Sequence, residues 1–399
     1  MTKKTAYLYG ARDKTFLSGT PFYLARALEG YGSKSGAFDV VDLAPRRTRE
    51  VPLTYAKWCL QSGTTRIPLF LLTQTYLNRS TRDLAVPDEI RPYFIIWGQG
   101  VPASIQEYRR AHPDSRIILY NDATILDLIQ SFDYAANAPR HVREEMFRDE
   151  KKGYAQADLI AVFHEEVRTR MIKDYAVPAE KIWVIGRGVN LDAELLSQPH
   201  DLRRSALDHK FHMMVVGRGP RRKGVFRLIE AIDALPQNDQ DSIVLTVAGP
   251  EKSELPSRPY LRPLGFISED QREMLAGEMA ASDLGVLLSN ADSLPGSIWE
   301  FLALKVPVWV SKLPCIVTAL DGYPAIIEDL SQGTPALTAR LNTFLHQPKF
   351  LPNLVAQNTR SLRALTWDGP AEFLGQYICN DSVQENWRDQ GLEMANGSA

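Results

Sequence analysis

Two acidic side chains, Asp292 and Glu300, flank a Pro-Gly turn in the stretch ADSLPGSIWE (291–300), with seven residues between them. Ser297 and Glu300 fit the S-x-x-E pattern, so one interpretation is a capping box at the start of a helix. That interpretation explains neither Asp292 nor the turn. The other interpretation is a ligand site, because helix N-termini near a glycine present backbone N–H groups that bind phosphate. Both interpretations can hold in part.

A cluster of cations lies in an earlier loop, VVGRGPRRKG (215–224), between a predicted strand and a predicted helix. Positive charge at the start of a helix is disfavoured by the helix macrodipole. Such a conflict is expected where a ligand supplies the missing anion, and a diphosphate would bind the cations and the free N–H groups together. The alternative is a basic surface loop without a ligand. The cations are Arg218, Arg221, Arg222 and Lys223.

Short apolar runs alternate with amphipathic segments along the chain, which indicates α/β architecture. The predicted strands are 6–10, 38–43, 93–98, 116–120, 158–163, 181–186, 212–217, 242–249, 283–289 and 306–311. The predicted helices are 21–32, 102–113, 165–176, 225–235, 268–281 and 297–304. Ser268 and Gln271 form a predicted capping box. Two βα successions, separated by a polar linker at 197–210, predict two doubly wound domains facing a cleft, with ligands outside the carboxyl ends of the strands.

Length, composition and charge limit the classes of protein to which the chain can belong. The 399 residues suffice for two domains, and 44% hydrophobic with 24% charged residues is typical of a globular protein. A net charge of −2 argues against a nucleic-acid partner. Three scattered cysteines, no signal-peptide pattern and no apolar run longer than IPLFLL (67–72) predict a cytoplasmic protein. The basic segment PRRTRE (45–50) is a solvated loop or a peripheral membrane contact.

Several stretches together resemble one family. QADLIAVFHEEVRTRMIKDYAVPAEKIWVIGRGVNLD (156–192), VVGRGPRRKG, LRPLGFIS (261–268) and the two spaced acids are similar to segments of the retaining glycosyltransferases of family 4, which have the GT-B fold. TWDGPAEFLGQYI (366–378) resembles the helix that crosses back to the first domain of that fold. The resemblance implies a Rossmann-like acceptor domain at 1–197 with a crossing helix at 366–380, and a Rossmann-like donor domain at 211–365.

The resemblance also implies roles for individual residues. Arg218 and Lys223 would hold the diphosphate of a nucleotide-sugar donor, Glu300 the ribose hydroxyls, and Asp292 the sugar near the reacting carbon. Further donor-binding residues would be Gly19, Thr20, Gly217, Gly265, Phe266, Ile267, Leu294, Gly296 and Ser297. Asp122, in the stretch RIILYNDATILDLI (116–129), would point towards the acceptor, and the alternative is that Asp122 or Thr124 caps a helix.

This chain departs from the family pattern at three places. The first acid of the pair is Asp292 instead of a glutamate, one methylene shorter. The usual Gly-rich turn is replaced by SLPGS (293–297), in which Pro295 has no N–H to donate. Lys305 stands where the family has a glycine at the helix C-terminus. These changes affect the identity of the sugar more than the fold.

The implied reaction is transfer of a sugar from a nucleoside-diphosphate sugar to a hydroxyl of a glycan, lipid or small-molecule acceptor, with retention at the anomeric carbon. Neither a metal nor another cofactor is expected, because cations and helix N-termini can stabilise the leaving diphosphate. Two alternatives are a nucleotide-sugar 2-epimerase of the same fold and a degenerate, non-catalytic partner subunit.

Overall fold

The computed structural model describes residues 4–12, 14, 16–43, 50–63, 91–98, 100–130, 138–197 and 210–382. Within these residues the chain divides into two α/β units. The first holds residues up to Gly188 and again from Thr366, and the second holds Val189–Leu365. The run 67–72 and nearly all of 45–50 and of the predicted linker 197–210 lie outside the described residues.

The first unit is built on a six-stranded parallel sheet with the strand order β2-β1-β3-β4-β5-β6, counted over the described residues. Its strands are β1 (Lys4–Tyr9), β2 (Phe38–Leu43), β3 (Pro92–Trp97), β4 (Arg116–Asn121), β5 (Leu159–Val162) and β6 (Ile182–Val184). All six residues of β3 are buried, as expected for a strand covered on both faces. The order changes direction between β1 and β3, which is a switch point of doubly wound sheets.

Helices of the first unit follow its strands. They are α1 (Thr20–Ser35), α2 (Glu50–Ser62), α3 (Ala103–Ala111), α4 (Ile125–Gln130), α5 (Arg140–Gln156), α6 (Glu165–Tyr175) and, from the C-terminal part of the chain, α15 (Asp368–Asn380). α15 packs on α1, because Gly375 brings the two helices so close that a Cβ there would lie 2.4 Å from the ring of Tyr31. Lys4 of β1 also donates to the carbonyl oxygen of Ile378 at 2.7 Å. The predicted return of the C-terminal helix to the first domain is therefore observed.

The second unit carries another six-stranded parallel sheet in the described residues, with the order β12-β11-β10-β7-β8-β9. Its strands are β7 (Phe211–Val216), β8 (Ile243–Ala248), β9 (Leu261–Gly265), β10 (Leu284–Leu287), β11 (Val308–Ser311) and β12 (Ala325–Glu328). Its helices are α7 (Ala193–Ser197), α8 (Val225–Asp233), α9 (Gln237–Asp241), α10 (Arg272–Ala280), α11 (Gly296–Ala303), α12 (Pro314–Ala319), α13 (Gly333–His346) and α14 (Phe350–Ala356).

Close packing ties α11 to the centre of the second sheet. Gly285 lies in the middle of β10, and a Cβ there would stand 2.4 Å from the ring of Phe301 in α11. The glycine therefore allows the helix to lie directly on the strand that precedes it. The short element at Glu269–Gln271 begins with the predicted Ser268–Gln271 capping box. Two parallel sheets with helices around them confirm the predicted α/β class.

Candidate active site

The second unit places its cation-rich loop and its acidic loop side by side. The chain winds from β7 to β8 and β9 on one side and from β10 to β11 and β12 on the other, so the strand order reverses between β7 and β10. Ligands of open parallel sheets bind outside the carboxyl ends of the strands at such a point. Gly217 follows β7 directly, and Asp292 lies in the loop that follows β10.

A buried ion pair joins these two loops. Lys223 Nζ lies 2.6 Å from a carboxylate oxygen of Asp292, and both side chains are about nine-tenths buried. The same oxygen also accepts from Arg222 at 3.1 Å and from the Ser289 hydroxyl at 3.0 Å. Burial lowers the pKa of Lys223 below its ordinary value, and the Asp292 carboxylate opposes that change. The predicted phosphate-binding cation and the predicted sugar-binding acid therefore contact each other.

The backbone of the cation-rich loop is fitted to the end of β10. Gly224, the N-cap of α8, has φ of 77°, and a Cβ there would lie 2.2 Å from the carbonyl oxygen of Leu288. The Asn290 N–H donates to the carbonyl oxygen of Arg222 at 3.0 Å, which fastens the two loops to each other. A side chain at position 224 would clash with Leu288, so the glycine allows the two loops to lie this close to each other.

Arg218 stands apart from the ion pair and is exposed. Its guanidinium carbon lies 4.5 Å from the centre of the Phe266 ring, a cation–π contact, and Phe266 itself is 51% exposed. Gly265 ends β9 and Phe266 and Ile267 follow it, and the Gly265 carbonyl oxygen accepts from the Gly249 N–H at 2.8 Å. The structure thus brings the predicted diphosphate-binding arginine onto the segment predicted to line the base pocket.

Glu300 is 4% exposed and lies in the middle of α11, where its carboxylate accepts from Arg272. The capping alternative is wrong for this residue. α11 begins at Gly296 after Pro295 as N-cap, and no side chain caps it. Arg272 was not found from the sequence because nothing in the spacing of ADSLPGSIWE points to a partner 28 residues earlier.

The turn between the two acids carries backbone strain. Leu294 has φ of 41° and is 4% exposed, a left-handed conformation that non-glycine residues rarely adopt. Gly296 and Ser297, the first residues of α11, are half-buried. Lys305 also has a positive φ, 60°, just after α11, so this chain places a lysine in a conformation that usually takes glycine.

Candidate residues of the first unit belong to separate loops. Gly19 has φ of 79° and is the N-cap of α1, and Thr20 begins that helix; both are buried. Asp122 lies one residue after β4 and is exposed. Thr124 caps α4, since its hydroxyl accepts from the Asp127 N–H at 3.2 Å and its own N–H donates to the Asp127 carboxylate at 2.8 Å. The cap is therefore made by Thr124, and Asp122 is not needed for it.

Two sequence comparisons match parts of this chain to known proteins. The family described as Glycosyl transferases group 1 matches residues 200–350, less than half of the chain. A protein of Bacillus subtilis (strain 168), TuaC, named for a glycosyltransferase of teichuronic acid biosynthesis, is 38% identical over 139 residues, which are 35% of this chain and 34% of the relative. The family match at 200–350 falls within the bounds of the second unit and contains every candidate residue of that unit.

Solved structures match over nearly the whole chain. A sucrose-phosphate synthase from Thermosynechococcus elongatus superposes with a TM-score of 0.65 at 17% identity, covering 94% of this chain and 98% of that one. Anabaena Alr3699/HepE in complex with UDP and glucose superposes with a TM-score of 0.52 at 14% identity, covering 95% and 98%. The fold is GT-B. Among the residues that the structure describes, no helix of this GT-B chain is long and apolar enough to cross a membrane.

Proposed function

We propose that the chain is a glycosyltransferase that moves a sugar from a nucleoside-diphosphate sugar to a hydroxyl acceptor with retention at the anomeric carbon. One observation carries the proposal. Lys223, Arg222 and Asp292 meet at the switch point of the second sheet, inside the segment that matches Glycosyl transferases group 1. The Anabaena relative in fold was solved with UDP and glucose, which supports a nucleotide-sugar donor here as well.

The cations of the second unit would stabilise the leaving diphosphate. Negative charge develops on phosphate oxygens as the bond to the sugar breaks, and fixed donors in a buried site stabilise it most effectively. Lys223 and Arg222 are oriented by Asp292 before any ligand arrives. Arg218 is exposed beside Phe266, where it would bind a second phosphate. The first N–H groups of α11, at Gly296 and Ser297, would add the positive end of a helix dipole.

Retention would follow from attack on the same face from which the diphosphate departs. The acceptor oxygen bonds to the anomeric carbon, the bond from that carbon to the diphosphate oxygen breaks, and the acceptor proton passes to the diphosphate. Asp122 of the first unit would orient the acceptor. Cationic side chains supply the charge stabilisation, so we expect transfer to persist in EDTA.

A ligand panel followed by product analysis tests this proposal. We expect UDP, GDP or ADP to raise the melting temperature of the full chain, with the largest rise identifying the base. Incubation of the matching nucleotide sugar with a mixture of hydroxyl acceptors should then give a product with the anomeric configuration of the donor by NMR. Formation of the 2-epimer without an acceptor would instead identify an epimerase. Absence of any thermal shift would favour a non-catalytic subunit.

A further inference from the structure

Arg227 of α8 holds the loop that carries Asp292, and the proposed function gives this arginine no role. Its Nη1 donates to the carbonyl oxygen of Leu288 at 2.9 Å, and its Nη2 donates to the side-chain oxygen of Asn290 at 2.8 Å. Leu288 directly follows β10, and its carbonyl oxygen is also the atom against which Gly224 packs. One guanidinium therefore holds the first and the third residue of the loop after β10.

Asn290 connects Arg227 to the ion pair of the candidate site. Its N–H donates to the carbonyl oxygen of Arg222 at 3.0 Å. Arg222 donates through Nη1 to the carbonyl oxygen of Ala291 at 3.0 Å and to the Asp292 carboxylate at 3.1 Å. Three consecutive residues of the loop are therefore bonded to Arg222, so a displaced Asn290 would displace Asp292 with it.

Two buried hydroxyl groups add to the restraint on Asp292. Ser289 Oγ donates at 3.0 Å to the same carboxylate oxygen that Lys223 contacts at 2.6 Å. Ser311, at the end of β11, donates through Oγ to the carbonyl oxygen of Ser289 at 2.7 Å, and both serines are at most 1% exposed. Because Ser289 belongs to the loop, the contact of Asp292 with Lys223 depends on the backbone position of that loop.

Arg227 lies where a cation is locally unfavourable. It is the third residue of α8, whose first turn contains no acidic residue, and the helix macrodipole disfavours positive charge there. Both acceptors of its guanidinium are uncharged oxygens, so these contacts do not neutralise a carboxylate. They use the planar fork of the guanidinium, whose donors point in fixed directions that a lysine cannot reproduce. Such a conflict is expected where a side chain serves a distant contact.

We infer that Arg227 is a positioning residue that, through Asn290, holds the Asp292 carboxylate against Lys223. Its consequence for sugar transfer rests on the proposed function, in which protonated Lys223 binds the diphosphate. Burial lowers the pKa of Lys223, the Asp292 carboxylate opposes this change, and the Arg222 charge adds to it. If Asp292 moved away, Lys223 would lose its proton at lower pH, and with it the charge that binds phosphate.

Titration of Lys223 without any ligand tests the positioning role. The chain is labelled with ¹³C at lysine Cε and followed by NMR, and the Lys223 signal is identified by its loss in Lys223→Met. Asn290→Ala leaves every charge in place, so a lower midpoint in this variant would come from the displacement of Asp292. We expect the midpoint to fall by about one pH unit, as for the partial loss of an opposite charge.

Arg227→Met gives a sharper test because its two possible effects on Lys223 have opposite signs. Removing a positive charge from the start of α8 would by itself raise the pKa of Lys223, whereas release of Asp292 would lower it. We expect the midpoint to fall, as in Asn290→Ala. Arg227→Lys keeps the charge without the planar fork and should restore only part of the wild-type midpoint.

Arg258→Met is the matched control. Arg258 contacts Asp233, the last residue of α8, at 2.9 Å, so this variant also removes an arginine contact to the same helix. Its Lys223 titration should equal that of the wild type. Asn290→Ala changes one uncharged side chain, so the test remains possible where Arg227→Met does not fold.

Calorimetry with UDP, GDP and ADP then connects the positioning role to the proposed donor. For the base that binds, affinity should decline above the Lys223 midpoint, and this decline should begin at lower pH in Arg227→Met and Asn290→Ala. A midpoint lower by one unit corresponds to about tenfold weaker binding at a pH above both midpoints. The double variant should bind no more weakly than either single variant, because both changes remove the same contact.

The outcomes distinguish the inference from the proposed donor. An unchanged Lys223 midpoint in Asn290→Ala, or a higher midpoint in Arg227→Met, would show that Arg227 does not position Asp292. Lower midpoints in a chain that binds none of the nucleotides would support the positioning role and contradict the donor. Lower midpoints with unchanged nucleotide affinity would also support the positioning role, and would exclude Lys223 from the diphosphate site.

Discussion

At the carboxyl edge of the second sheet, charged side chains are held against one another, whereas at the same edge of the first sheet aromatic rings are stacked. Lys223 and Arg222 share the carboxylate of Asp292 after β7 and β10. In the first unit, Trp97 at the end of β3 stacks on Tyr120 of β4, with ring centres 4.4 Å apart.

Further rings extend the aromatic cluster of the first unit. Phe163 and Trp367 meet Trp97 edge-on, with centres 6.1 and 6.3 Å away. A Cβ at Gly188 would lie 2.4 Å from Trp367. The Trp367 ring therefore packs directly against the last residue of the first unit before the chain enters the second. Ion pairs can exchange one partner for an anionic ligand, and stacked rings cannot. We therefore expect the proposed donor to change the contacts of the ion pair in the second unit and to leave the aromatic contacts of the first unit unchanged.

The largest effect on stability is expected when the Asp292 carboxylate is removed from the second unit. Asp292→Ala removes the carboxylate that Lys223, a mostly buried cation, contacts at 2.6 Å, which should lower the free energy of unfolding by about 3–5 kcal/mol. Urea denaturation measures this change. Saturating UDP should recover more stability in the variant than in the wild type, because a diphosphate would replace the lost carboxylate. An equal gain in both proteins would show that the ligand does not meet these cations.

The next prediction concerns the rate of sugar transfer, kcat. Lys223→Ala removes a fixed donor from the proposed diphosphate site and should lower kcat by about 10²–10³-fold. Arg218→Ala and Glu300→Ala should likewise lose most transfer while staying folded. Arg221→Ala is the control, since Arg221 is an exposed arginine of the same loop that lies 5.0 Å from the Phe226 ring and is given no role at the donor by the family resemblance. Wild-type turnover in the Lys223 variant would contradict its assignment.

The burial of the strands explains in part which of them could be predicted from the sequence. β4 and β7 match their predicted bounds within one residue, because apolar runs mark strands that are covered on both faces, and the edge strand β2 matches its predicted bounds although it is only partly buried. Strands β9 and β12 were not predicted. They form the edges of the second sheet and are only partly buried, β9 contains Pro263, and β12 has four residues.

For the candidate site, the loops could be predicted from the sequence, but the contacts between their side chains could not. The loops after β7 and β10 could be found because glycines and charges cluster there, and the segment after β9 was found through its resemblance to the family. The pairings could not, since Lys223–Asp292 and Arg272–Glu300 join residues 69 and 28 positions apart, and only the fold sets such distances. In the first unit the aromatic cluster has no sequence pattern of its own, because each ring sits in a separate strand or loop.

An effect that is smaller per pH unit is expected in the first unit. Glu150 of α5 is fully buried and accepts from the Ile125 N–H at 3.0 Å and from the Tyr154 hydroxyl at 2.7 Å. Burial raises its pKa to about 8, although these donors favour the charged form. The folded protein therefore keeps a proton that the unfolded chain loses near its ordinary value of 4.5. Stability should fall as pH rises from about 4.5 to 8, by at most about 1.4 kcal/mol per pH unit, and level off above.

Unfolding measured from pH 5 to 9 tests this dependence. Glu150→Gln cannot ionise and should lose that part of the slope. Glu144→Gln, which changes an exposed glutamate of the same helix that pairs with Arg140, should keep it. Equal slopes in the wild type and in Glu150→Gln would show that Glu150 is already ionised in the folded protein.

The smallest effect is expected at Arg218, which is exposed, in contrast to the buried cations of the second unit. Phe266 carries Arg218 on its ring at the surface, and an exposed cation–π contact is worth about 0.5–1 kcal/mol. Phe266→Ala should therefore weaken UDP binding by only about two- to fivefold, because Arg218 keeps its charge and loses its fixed position. Phe226→Ala removes the equivalent ring beneath Arg221 and should leave UDP affinity unchanged. If both variants bind UDP like the wild type, Arg218 acts without its aromatic support. If both lose affinity equally, the whole loop and not Arg218 alone meets the diphosphate.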